Sequence, residues 1–159
     1  PLPRRAGDPR GPRLVRRTAV AGATLAFAVA GCGDGGRPSH DAYVTHAEAV
    51  CTAYDSRVKL LTQPGSFDAT IAYVERTLPL YVAALDRLAA LKPAQQDTAA
   101  VHTWLAADRR VVASLRTLRA AAMRHDLAAT NQAATALQDA SHSARQAAGA
   151  LGLTACATP

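Results

Sequence analysis

An all-α fold, an antiparallel up-down-up-down four-helix bundle behind an N-terminal signal peptide and a short flexible tether, is predicted by three features of the sequence. Alanine dominates while aromatic residues make up only 4%, so intrinsic propensity favours helix over strand. Apolar residues recur at alternating spacings of three and four in four successive segments. Each segment is bounded by residues that start or stop helices. The chain reads as three parts: residues 1–31 a signal peptide, 32–39 a tether and 40–159 the bundle domain.

The signal comes first. Arg4, Arg5, Arg10, Arg13, Arg16 and Arg17 form a positive leader, followed by Thr18 to Gly31, an uncharged run of small and apolar residues. About 14 residues suit the apolar region of a secretory signal and fall short of the ~20 that span a bilayer as a helix. Arg16-Arg17 also admits a twin-arginine export route, which leaves the route of export open. The whole chain carries a net charge of +6, but six of its eighteen basic residues and one of its twelve acidic residues precede Cys32, leaving +1 beyond the signal. The basic character is therefore mostly a property of the signal, and a nucleic-acid-binding function, which needs a basic face on the folded domain, is not expected.

The first helix is expected from about Asp41 to Thr62, with Ser39 or Asp41 as N-cap and Gln63 to Ser66 as the stop. Val44, Ala47, Cys51, Tyr54, Val58 and Leu61 share its inner face. The second, capped by Ser66 or Asp68, places Ile71, Val74, Leu78, Tyr81, Leu85 and Leu88 inward and stops near Lys92-Pro93. Pro79 within it removes one amide donor and predicts a kink or two abutting segments. The third is expected to start with Pro93 in its first turn and run to about His125. Its buried stripe is Val101, Leu105, Val112, Leu115 and Ala122, interrupted by Asp108. The fourth starts at Asp126 and presents Ala133, Ala134, Leu137, Ala140, Ala144, Ala148 and Leu151, small side chains that permit close approach but bury little apolar area. Leu151-Gly152-Leu153 reads as its C-terminus, with glycine at the left-handed position.

At the end of the apolar run, Val29-Ala30-Gly31-Cys32 resembles the lipobox of bacterial lipoprotein precursors. The resemblance implies transfer of a diacylglyceryl group to the Cys32 thiol, cleavage after Gly31 and Cys32 as the new N-terminus. It also implies a lipid-anchored location on the extracytoplasmic side of the cell membrane. With Cys32 taken by lipid, one pair of cysteines remains. An up-down-up-down path brings the end of the fourth helix beside the first, so Cys156 can reach Cys51, and export places the pair where thiols oxidise. The alternative is two buried free thiols.

Three further motifs are shared with small bacterial lipoproteins and secreted helical proteins of unknown function. They are A-x-x-x-C at Ala47 and Cys51, L-x-x-L-x-P at Leu88, Leu91 and Pro93, and A-x-x-L-G-L-x-x-C from Ala148 to Cys156. The chain resembles that group over nearly all of its length beyond the signal. The resemblance implies the disulfide-linked bundle and carries no activity.

Signals for chemistry are thin. His46-Ala47-Glu48 matches the H-x-E of zinc deaminases, but no P-C-x-x-C follows. Asp139 and His142 share a helical face as metal-binding pairs do, yet such bundles draw on further inward glutamates, and the chain contains only Glu48 and Glu75. Haem-attachment, phosphate-loop and nucleophile-elbow motifs are absent from the sequence. Arg109, Arg110, Arg116, Arg119 and Arg124 make the third helix basic, which fits a solvated face or contact with anionic phospholipid. Tyr43, Tyr54, Tyr73, Tyr81 and Trp104 are expected to pack in the core and not to line a groove. The expected function is a monomeric binding or interaction module, tethered to the membrane through its lipid, for an envelope protein or ligand, with no enzymatic activity, cofactor or metal. The alternative, an envelope enzyme or metal-binding bundle, predicts that His46, Asp108 and His142 meet in one cavity.

Overall fold

The computed structural model describes residues 36–62 and 64–158, all within the structural unit Asp34–Pro159. The signal segment 1–31, the lipidation candidate Cys32 and the tether residues 33–35 lie outside the described residues. The chain is all-helical there: α1 spans His40–Val58, α2 Phe67–Ala90, α3 Thr98–Met123, α4 Leu127–Ala150 and α5 Thr154–Ala157, with a 3-10 turn at Gln95–Asp97. The four long helices pack as the predicted bundle. None of the described helices is long and apolar enough to cross a membrane.

Local chemistry sets the helix starts. Ser39 accepts from the Ala42 amide at 3.2 Å, Ser66 from Ala69 at 3.2 Å and Asp126 from Ala129 at 2.9 Å, each satisfying an amide that has no partner within its helix. The fourth helix ends in a Schellman motif: Gly152 has φ +76°, the Leu153 amide donates to the Ala148 carbonyl at 3.1 Å and the Gly152 amide to Gly149 at 2.9 Å. The end of α3 has the same pattern around His125 at φ +53°, with amides of His125 and Asp126 donating to Ala122 and Ala121. A histidine there carries no glycine signal, although Asp126 then doubles as the N-cap of α4.

Two boundaries differ from expectation. Helix α1 stops at Val58 and not near Thr62, because the Leu60 and Leu61 amides turn back to Arg57 and Val58 in a tighter i to i−3 pattern. Pro93 lies outside α3, since Ala94 takes an extended-type backbone (ψ 152°) and a 3-10 turn precedes Thr98. That turn is tied to the start of α1 by a 2.8 Å contact between His40 Nδ1 and Asp97 Oδ2. Pro79 does not divide α2, which runs as one helix through it. Both Pro79 and Glu75, whose carbonyl loses its donor, lie on the exposed face of the helix.

The core falls into two clusters. One gathers Tyr43 and Ala47 of α1, Leu85 and Leu88 of α2, Val101, Trp104, Leu105 and Val112 of α3, Ala148 of α4, and Leu151 and Leu153 behind it. The other, formed by Val74, Ala107, Val111, Leu115, Leu118, Ala133, Ala140 and Ala144, comes from α2, α3 and α4 alone. Helix α1, at 19 residues the shortest of the four, packs on α2 and α5 and has no extended contact with α4.

Candidate functional site

That missing contact leaves a cleft of about 600 Å³ between α1 and α4, within the range usual for small-molecule sites. Tyr54 and Val58 of α1, with Leu61 in the turn beyond it, form one wall, and Ser141, Ala144 and Arg145 of α4 the other. Tyr73, Tyr81, Leu85 and Leu88 of α2, with Trp104 and Asp108 of α3, make the floor. One end is closed by Cys51 and Cys156, which form a disulfide with their Cα atoms 5.2 Å apart.

The C-terminal segment reaches this position through two attachments. The disulfide joins residues 105 apart in sequence and so closes a long loop. One turn of helix earlier on α1, the Glu48 carboxylate accepts from the Ala155 amide at 2.8 Å and 3.1 Å and from the Thr154 hydroxyl at 3.3 Å. Glu48, the acidic member of the His46-Ala47-Glu48 triplet, thus caps α5. The expected pairing of Cys51 with Cys156 is the one observed.

The chemistry of the cleft centres on Asp108. The residue is only 6% exposed and stands where an apolar side chain would continue the α3 stripe. Its Oδ1 accepts a 2.5 Å hydrogen bond from the Tyr81 hydroxyl, while its Oδ2 is buried without a hydrogen-bond partner. Burial pushes the carboxyl up to about 6, and the Tyr81 hydrogen bond works against that rise. Burial, followed by the neighbouring Asp108 charge, holds the Tyr81 phenol well above its ordinary value, with Arg145 opposing. Tyr81 is therefore a fixed donor. Tyr54 meets it edge to face, the ring centroids 5.2 Å apart and the planes at 86°, and burial raises its phenol too. On the α1 wall, burial also raises the Asp55 carboxyl, and Lys59 counteracts this.

The aromatic residues divide differently from expectation. Tyr43 is buried in the core, whereas Tyr54, Tyr73, Tyr81 and Trp104 line the cleft. Periodicity placed Tyr54 and Tyr81 on inward faces correctly; it carries no information on whether α4 fills the space before them. The candidate ligands His46, Asp139 and His142 are exposed, and only Asp108 of the trio His46, Asp108 and His142 reaches the cleft. No group of three or more histidine, cysteine, aspartate or glutamate side chains is arranged to hold a metal among the described residues. Arg109, Arg110, Arg116 and Arg124 are exposed, and Arg119 pairs with Glu75 on the surface. A shallower hollow of about 370 Å³ lies by Gly36, lined by Arg37, Lys92 and His102 among others. No family model, curated protein or solved structure matches the chain.

Proposed function

We propose that this protein is an extracytoplasmic binding module, lipid-anchored through Cys32, that takes a small ligand into the cleft between α1 and α4. The observation that carries the reading is the buried Asp108 carboxyl on an aromatic floor. A charged side chain on a core stripe costs stability, and convergent polar groups in an apolar cleft are what ligand recognition requires. The Cys51–Cys156 disulfide supports export, because such bonds persist in oxidising compartments. Cys32 lies four residues before Gly36, so a lipid on it would hold the basic hollow of Arg37, Lys92 and His102 near anionic headgroups. Burial keeps the Tyr54 and Tyr81 phenols protonated, which suits hydrogen-bonding groups in a binding site.

Two measurements test this. Wild-type cells fed an alkyne fatty acid should label the protein, and Cys32→Ala should abolish the label and accumulate precursor; equal labelling of the variant would remove the anchor from the proposal. The cleft is tested with a neutral aromatic probe, 2-phenylethanol, which should perturb the fluorescence of Trp104, the single tryptophan of the chain. An unchanged spectrum up to the solubility of the probe would refute a ligand cleft.

A further inference from the structure

We infer that the cleft selects a monocationic ligand, an apolar or aromatic body bearing one protonated nitrogen that donates to Asp108 Oδ2; this rests on the cleft being a ligand site. Three observations converge on that chemistry. First, Asp108 has a donor for one oxygen only, from Tyr81, and neither of the two ion pairs formed among the described residues involves it. A neutral hydroxyl would satisfy Oδ2 but leave the buried charge uncompensated; a protonated nitrogen does both, and charge-assisted hydrogen bonds are roughly twice as strong as neutral ones. An anionic head at Oδ2 would be repelled by the Asp108 carboxylate.

Second, the surroundings suit an organic cation. The Tyr54, Tyr73 and Tyr81 rings and the Trp104 indole border the same space, and a cation near aromatic faces gains attraction that increases as water is removed. Leu85, Leu88, Val58 and Leu61 supply area for an apolar body.

Third, the cleft walls limit the ligand to one positive charge. The charged groups facing the cleft are Asp55 on α1 and Lys59 at its C-cap, Asp108 on α3 and Arg145 on α4, while the titratable groups of α2 there are the Tyr73 and Tyr81 phenols. Asp55 and Lys59 bring one negative and one positive charge to the same wall. Arg145 remains, and its positive charge already acts on Tyr81. A second ammonium on the ligand would meet Arg145 without a spare carboxylate to balance it.

The test is calorimetric titration of the full chain in detergent micelles, with micelles alone as blank. The probes are 2-phenylethylamine, 2-phenylethanol, 3-phenylpropionate and the diamine 4-(2-aminoethyl)benzylamine. Near neutral pH the amine should bind about tenfold or more tighter than the alcohol, with the diamine weaker than the monoamine and the carboxylate weakest. Acidification to about pH 5 should weaken the amine about tenfold, as Asp108 takes up a proton, and leave the alcohol unchanged. Asp108→Asn should abolish the advantage of the amine and retain alcohol binding. Equal affinities for amine and alcohol would overturn the ligand class and leave the cleft standing; absence of binding by all four would overturn both. An amine preference unaffected by Asp108→Asn would overturn the role of Asp108. Should that variant fail to fold, the pH profile of the unaltered protein decides, because a pH-independent amine affinity is incompatible with the assignment.

Discussion

The two core clusters are built on opposite strategies. In the cluster of α2, α3 and α4, branched side chains of α3 meet alanines of α4, and the small residues let the two backbones come close. In the cluster that includes α1, large side chains such as Tyr43, Trp104 and Leu153 fill the centre, but α1 and α4 do not close on each other. There the C-terminal segment bridges the opening, held by Glu48 and the disulfide. An alanine-rich face seals one seam and leaves another open: helix α4, committed to α3, turns Ser141, Ala144 and Arg145 toward α1 and no large apolar side chain. The cleft is a consequence of that allocation.

The largest expected effect falls on the open side. Cys156→Ser should lower unfolding free energy by about 2–5 kcal/mol, measured by denaturant titration. Amide exchange should show α1 and α5 losing protection before α2, α3 and α4; uniform loss across all helices would break the distinction between the clusters.

Next comes the pH dependence that Asp108 imposes. Its folded carboxyl, at about 6, lies above the unfolded value, so its contribution is most favourable at low pH and is lost as pH rises through about 6. The loss between about pH 4 and pH 8 is on the order of 3 kcal/mol. Relative to Asp108→Asn, the wild type should therefore be less stable at pH 8 than at pH 4 by that amount. A difference that does not change with pH would show that the carboxyl is better solvated than its burial indicates.

The sealed seam should resist enlargement. Ala133, 4% exposed between α3 and α4, becomes overpacked in Ala133→Leu, which should cost about 1–3 kcal/mol by denaturation while the 2-phenylethanol response of Trp104 persists. A stabilising effect would mean the seam is loose. The smallest effect is expected for Glu48→Gln, which keeps an acceptor for the α5 amide but removes its charge, at about 0.5–2 kcal/mol. It should be visible as faster exchange of the Ala155 amide, and unchanged exchange would assign the tail to the disulfide alone.

Much of this architecture is legible in the sequence because it is decided locally. Ser66 and Asp126 start their helices with one side-chain acceptor each, Gly152 ends another through a backbone conformation that suits glycine, and the three-and-four spacing identifies which face of each helix turns inward. Asp108 is legible too, as a break in a stripe. The limits are equally particular. His125 occupies a left-handed position without any residue signal, Tyr43 is buried beside the stripe assigned to α1, and the short α5 depends on Glu48, 107 residues before the amide it caps. Tyr54 and Tyr81 point inward as their spacing requires, but inward means core only if a neighbour arrives to cover them. That outcome depended on the length of α1, the small face of α4 and the return of Cys156, none of which acts within one helical repeat. The sequence by itself determined the helices, their caps and their apolar faces, because neighbouring residues settle those. Only the tertiary structure decided that α1 and α4 stay apart and that Tyr81 meets one oxygen of Asp108, because those contacts depend on packing between segments far apart in the chain.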